Sequence, residues 1–255
     1  MAALHVESCG SGAPLLLIHG WGMHAGVWED TVQNLAADFR VHCVDLPGYG
    51  LSKATGATSL DAIVDALSST FAEPVTVCGW SLGGQIALRW AAREPDRVRR
   101  LILVASTPSF TRHADWDFGL ESEVLKQFAA DLEQNYAATL RRFIALQLRG
   151  SENERELLTK LRERLFSRGE PDIGALRAGL DILRDADLRA ELPAIRQRTL
   201  VIAGERDKLT PPAASSWLAQ TMPAARLQII AGAAHAPFLS HPDQFAQQLK
   251  SFLHE

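Results

Sequence analysis

The chain has 255 residues, with 26 lysines and arginines against 30 aspartates and glutamates and a formal net charge of −4 at pH 7. That length fits one α/β domain with an insertion, and the acidic balance excludes a dedicated nucleic-acid binder, which carries a basic excess. A content of 47% hydrophobic and 22% charged residues excludes global disorder.

Residues 1–10 lack the charged start and long apolar stretch of a secretory signal. The longest apolar run near the N-terminus, Pro14 to Ile18, is too short to cross a bilayer, so no membrane association is expected. Leu15–Ile18 reads as a buried strand, Thr31–Asp38 as a helix and Val41–Asp45 as the next strand. Ser59–Phe71 reads as a helix capped by Ser59, with Leu60, Ile63, Val64 and Leu67 on one face. Val75–Cys78 predicts a strand, Leu82–Arg93 a helix and Leu101–Val104 a strand. Uninterrupted apolar strands alternating with helices specify a parallel sheet covered on both faces.

The pattern changes between about Pro108 and Leu192, where helical stretches replace strands: Ser122–Leu132, Asn135–Leu148, Glu152–Phe166 and Ile173–Leu183. Strand signals return at Thr199–Ile202 and Leu227–Ile230, and Phe245–Leu253 closes the chain as a helix. The organisation is therefore one core, residues 1–107 and 193–255, interrupted by a helical cap at 108–192 that is not an independent domain. An insertion at a strand's C-terminal end lies where open parallel sheets bind ligands.

Gly79-Trp80-Ser81-Leu82-Gly83 is a G-x-S-x-G motif at a strand-to-helix junction, followed by Gly84. That context creates a sharp turn that exposes a nucleophilic serine and aims a helix N-terminus at the reaction centre. A serine hydroxyl needs a base. On this architecture the acid follows a late strand and the histidine follows the last one. Asp207, after Thr199–Ala203, and His235, after Leu227–Ile230, occupy those places. Glu205 and His241 are the rivals: Glu205 sits nearer its strand end, and His241-Pro242-Asp243 reads as a helix start. The oxyanion needs two amide donors, here assigned to Leu82 and to Trp21 in the His19-Gly20-Trp21-Gly22 loop, with His19 ordering that loop.

The three cysteines, Cys9, Cys43 and Cys78, contain no CxxC; Cys43 and Cys78 read as buried thiols, so a reducing compartment, the cytoplasm, is expected. None of the eight histidines forms HxxxH or HExxH, and no metal or other cofactor is called for. With no exposed heptad seam, a monomer is the default.

Taken together, Leu17–Gly22, Asp45–Ser52, Gly79–Gly84, Gly204–Asp207 and Gly232–Pro237 resemble the α/β-hydrolase superfamily. The resemblance implies a mostly parallel central sheet with helices on both faces and a helical cap inserted after the sixth strand. Trp80 before the serine, the run Arg142-Phe143-Ile144-Ala145-Leu146-Gln147 and the block Ala233–Pro242 look more narrowly like the pimeloyl-acyl-carrier-protein methyl ester esterases of bacterial biotin synthesis. That likeness implies a serine carboxylesterase acting on a carrier-bound methyl ester and releasing methanol. It further implies that Trp21, Ser81, Leu82 and the segment Phe143, Ile144, Ala145, Leu146 and Gln147 line the substrate site.

Residues 141–168 hold eight basic side chains against four acidic ones in a chain that is acidic overall. Arg142 and Arg149 are seven apart, as are Arg155 and Arg162, so each pair is expected to repeat on one helix face and to dock an acidic carrier protein. The triad alone leaves other chemistries open: a general short-chain carboxylesterase, a C–C hydrolase or a menaquinone-pathway lyase, and outside enzymes a non-catalytic ligand receptor.

Overall fold

The computed structural model describes residues 4–54, 56 and 59–255. Seven strands build one sheet: β1 (Val6–Cys9), β2 (Ala13–Ile18), β3 (Phe39–Val44), β4 (Val75–Trp80), β5 (Val98–Val104), β6 (Arg198–Gly204) and β7 (Ala225–Ile230). Their spatial order is β1-β3-β2-β4-β5-β6-β7, with β1 antiparallel to β3 and every other pairing parallel. In β2 and β4 the apolar runs are buried on both faces, which is why they read as continuous hydrophobic stretches and not as alternating ones. The two edges differ from them. β1 is largely exposed and β7 half-exposed, as polar edges must be to resist pairing with other chains.

Between the strands run α1 (Glu29–Leu35), α2 (Leu60–Thr70), α3 (Leu82–Arg93), α4 (Ser122–Leu148), α5 (Glu154–Leu165), α6 (Ile173–Asp185), α7 (Pro212–Thr221), α8 (Pro237–Ser240) and α9 (Pro242–His254). The Ser59 hydroxyl caps α2 by accepting from the Ala62 amide at 3.2 Å. α3 is the best-buried helix of the core side, with Ile86, Ala87, Leu88 and Trp90 wholly inside. The strand order reverses between β2 and β4, and the loops leaving the C-terminal ends of those two strands form the crevice in which ligands bind on such sheets.

The chain between β5 and β6 adds no strand to this sheet and forms α4, α5 and α6. Its two ends meet: the Leu188 amide donates to the Pro108 carbonyl at 3.0 Å, and Ser109 bridges Asp187. Five strands precede it among the described residues, so it follows the fifth strand of this chain and not a sixth; a single antiparallel strand, β1, stands ahead of β2. α4 is continuous from Ser122 to Leu148 except at Asn135 (φ −156°, ψ 81°), whose side chain accepts from the Ala138 amide and restarts the helix. The break separates the two helical stretches expected from the sequence.

β1 and α7 carry no clear signal in the sequence. β1 is four residues long and mostly exposed, so it shows no apolar pattern. α7 is built on Ala and Ser with a weak apolar face. Conversely, the helix expected at Thr31–Asp38 runs from Glu29 to Leu35, drawn forward by the 3-10 turn Ala25–Trp28 that feeds into it.

Candidate active site

Ser81 sits between β4 and α3 with φ 55° and ψ −116°, a backbone state that costs a non-glycine residue of order 1–3 kcal/mol. The turn is possible because the residues two places to either side have no side chains: a Cβ on Gly79 would lie 2.2 Å from the Gly83 carbonyl oxygen, and one on Gly83 would lie 2.4 Å from that of Ile18. The turn is further tied by the Ser81 amide donating to the Val104 carbonyl at 3.0 Å, and by the Ser106 hydroxyl donating to the Ser81 carbonyl at 2.8 Å.

The serine, histidine and aspartate expected from the sequence meet in space. Ser81 Oγ lies 3.0 Å from His235 Nε2, and His235 Nδ1 lies 2.8 Å from Asp207 Oδ2. The three residues are 3%, 1% and 4% exposed. Asp207 is held as an acceptor by three more donors: the Leu209 amide at 2.8 Å and the Thr210 amide at 3.0 Å on Oδ1, and the Thr210 hydroxyl at 2.6 Å on Oδ2. Together these bonds aim the carboxylate at the imidazole. The rivals stand apart. Glu205 accepts from the Gly232 amide at 3.0 Å, bracing the start of the histidine loop. His241 begins α9 and bonds Ser240 at 2.9 Å.

The backbone of His235 is clamped from two directions. Its carbonyl accepts from the Trp80 indole at 2.8 Å, and its amide donates to the Gln147 carbonyl of α4 at 3.0 Å. Sequence reasoning missed both contacts and the Thr210 hydroxyl. Trp80 and Gln147 are far from His235 along the chain, and nothing in their spacing announces that they meet.

Leu82 opens α3, so its amide has no acceptor within the helix. Trp21 lies in the loop after β2, and the preceding Gly20 is so close that an added Cβ would be 3.2 Å from that of Ser81. His19 orders this loop: it accepts from the Leu46 amide at 3.0 Å through Nε2, which leaves Nδ1–H to donate to the Gly20 carbonyl at 2.8 Å. Complete burial holds His19 neutral by depressing its pKa to about 4, against an upward pull from Asp45. Asp45 accepts from the Ala25 amide at 2.6 Å and the Leu51 amide at 2.9 Å, knitting the neighbouring loop together. The Trp21 ring faces the cap, donating to the Leu176 carbonyl at 2.7 Å and meeting Phe143 edge-on at 4.7 Å.

Phe143 and Leu146 line an apolar cavity of about 230 Å³ between α4, α6 and the Asp207 loop, together with Leu125, Phe128, Leu180 and Leu209. Ile144, Ala145 and Gln147 lie outside this lining; Ile144 and Gln147 are buried, and the Gln147 side-chain oxygen has no hydrogen-bond partner among the described residues. A larger cavity, about 530 Å³, lies beside Cys9, Cys43, Arg164 and Arg168 and touches no residue of the triad. Cys43 and Cys78 are buried thiols, and burial pushes Cys43 up to about 12 and Cys78 further.

The basic segment divides. Arg164, Lys160 and Arg168 turn inward and tie α5 to the core: Arg164 pairs with Asp30 at 2.9 Å, Lys160 with Asp30 at 2.7 Å and Arg168 with Glu7 at 2.6 Å. Arg142 pairs with Asp131 and stacks on Phe128. Arg155 and Arg162 on α5 form no ion pair among the described residues. Arg149 is the C-cap residue of α4, where the chain leaves the helix at φ −58°, ψ 118°. No group of metal-ligating side chains occurs among the described residues, and no helix there is long and apolar enough to cross a membrane.

Comparison with known proteins places these features in context. Residues 13–242 match the family described as alpha/beta hydrolase fold. A protein of Nitrosomonas europaea named pimeloyl-[acyl-carrier protein] methyl ester esterase is 45% identical over 245 residues, 96% of this chain and 97% of that one. One of the same name from Chromobacterium violaceum is 42% identical, with 98% of each chain covered. Among solved structures, an esterase from Exiguobacterium antarcticum superposes with a TM-score of 0.90 over the whole of both chains at 23% identity, a likeness of fold.

Proposed function

The chain belongs to the α/β-hydrolase family, and on that premise we propose that it is the esterase that hydrolyses the methyl ester of pimeloyl-acyl-carrier protein in biotin synthesis. The products are methanol and the carrier-bound free acid. The observation that carries the chemistry is the unbroken Ser81–His235–Asp207 chain of hydrogen bonds at the mouth of the sheet. The substrate rests on the near full-length identity to esterases of that name.

In this reading Ser81 Oγ attacks the ester carbonyl while His235 Nε2 accepts its proton. Asp207 holds Nδ1–H and stabilises the imidazolium. The Leu82 and Trp21 amides receive the oxyanion. The tetrahedral intermediate collapses as His235 protonates the departing methoxide, releasing methanol and leaving an acyl-serine. Water, deprotonated by His235, then attacks that ester and returns Ser81 to its starting state. No cofactor enters any step. The Trp21 ring, Phe143 and Leu146 guide the acyl chain, and we treat 108–192 as the cap that contributes the last two, an insertion with no separate fold. Arg155 and Arg162, exposed on α5 and without an ion pair among the described residues, are the proposed contact for an acidic carrier protein, together with Arg142 on α4. We further infer a cytoplasmic monomer, a setting that suits two buried unpaired thiols.

The test is turnover of pimeloyl-carrier-protein methyl ester beside a short p-nitrophenyl ester, at low and moderate salt. Salt-sensitive hydrolysis of the carrier substrate supports the proposal. Hydrolysis of the small ester alone overturns the substrate while leaving the triad standing.

A further inference from the structure

Two cations at the rim of the apolar cavity have no part in the chemistry above. Arg149 and Lys208 both line it, both are exposed, and neither forms an ion pair among the described residues. Elsewhere on the cap, arginines that approach the core are neutralised by Asp30, Glu7 or Asp45. Each rim cation is rooted close to the triad. Lys208 follows Asp207 directly. Arg149 lies two residues beyond Gln147, whose carbonyl holds the His235 amide. The cavity between them is walled by leucine and phenylalanine side chains, and its inner wall backs onto the oxyanion loop through the edge-on contact of Phe143 with Trp21. An apolar cavity that one aromatic contact separates from the oxyanion loop, rimmed by Arg149 and Lys208, is complementary to a ligand that is apolar in the middle and anionic at its far end.

We propose that Arg149 and Lys208 form an anion clamp for the remote end of the acyl chain, so that the enzyme also accepts free half-esters of medium-length linear dicarboxylic acids, with no carrier attached. The proposal rests on the esterase reading in taking Ser81 as nucleophile. The ester carbonyl sits at Ser81, the methylene chain fills the cavity, and the free carboxylate emerges between the guanidinium and the ammonium. Without those two charges an apolar channel disfavours a carboxylate over a methyl terminus, because the ion loses hydration with nothing in return.

The experiment compares p-nitrophenyl hydrogen pimelate with p-nitrophenyl heptanoate, which differ only in the terminal carboxylate. It uses wild type, the double variant Arg149→Gln with Lys208→Gln, and Arg149→Lys. The quantity read is the ratio of kcat/KM for the acid ester over the neutral one. Two solvent-exposed ion pairs predict that this ratio falls roughly three- to thirtyfold in the double variant, mainly through KM for the acid ester. Arg149→Lys should keep much of the ratio, and rising salt should lower it in wild type but not in the double variant. A ratio unchanged by the double substitution, or one that does not respond to salt in wild type, overturns the clamp. Turnover of the carrier-linked methyl ester is measured on the same proteins. Its failure sinks the physiological substrate and leaves the clamp standing if the ratio behaves as expected; its success with an unmoved ratio does the reverse.

Discussion

The rim of the sheet and the helical cap use polar side chains in opposite ways. Around Ser81 the polar groups saturate one another: Asp207 accepts from two amides, a hydroxyl and the imidazole, and His19 is bonded through both ring nitrogens. On the cap, Arg155 and Arg162 are exposed and form no ion pair among the described residues. The first arrangement fixes reacting atoms where they must be before substrate arrives. The second leaves charges available for a partner and contributes little to stability. On the proposed function, chemistry is built into the core and discrimination into the cap.

Damage to the core should depress all esters alike, and Ser81→Ala is the extreme case. Turnover of short, carrier-linked and free half-esters should each fall by roughly 10⁴-fold or more, with an unchanged melting temperature. Any ester hydrolysed at near wild-type rate would break the division at once.

Acid should act on the core as well. His19 is neutral when folded and titrates near 4, whereas an unfolded histidine titrates near 6.5. The unfolded chain thus binds the proton first, so the stabilisation from neutral His19 is complete above pH 6.5 and is lost as pH falls toward 4. The loss at pH 4 is about 3 kcal/mol. Burial also lowers His24, whose Nε2–H donates to the Arg164 carbonyl, so it adds to the same limb. Urea unfolding at pH 7, 5.5 and 4.5 would reveal the slope, and His19→Asn should flatten it.

Smaller effects test the supports of the triad. Thr210→Val removes a hydroxyl bond to a carboxylate and should cut kcat roughly tenfold or more, with KM little changed, on every ester. Trp80→Phe frees the His235 carbonyl and should cost about 1 kcal/mol, roughly fivefold in kcat. A rise in KM alone in either variant would argue against a positioning role. The smallest effect belongs to the cap: Arg155→Glu with Arg162→Glu should lower kcat/KM severalfold on carrier-linked ester only, the deficit fading as salt rises. Equal loss on all esters would mean the cap itself had been damaged.

The sequence discloses these regions unequally. Ser81, Asp207 and His235 are legible because each follows a strand whose apolar run is unmistakable, and because Gly79 and Gly83 mark the turn. The helices of the cap are legible too, with Asn135 visible as a restart within α4. What depends on distant residues meeting is not. The Arg142–Asp131 pair joins helical segments on either side of the Asn135 break, so no helical spacing foretells it. The inward turn of Lys160 and Arg164 needs Asp30 from the first turn of α1, far upstream, and without it the basic segment reads as one uniform face.

The hydrogen bond from the His235 amide to the Gln147 carbonyl bears on how such enzymes can be remodelled. Half of this backbone anchorage of His235 is supplied by the cap and not by the sheet. A chimera carrying another esterase's cap on this core would import a new substrate preference and, with it, a displaced proton acceptor. Grafts that keep the turn of helix ending at Leu148 should retain turnover, whereas grafts cut just ahead of it should inherit selectivity but react slowly.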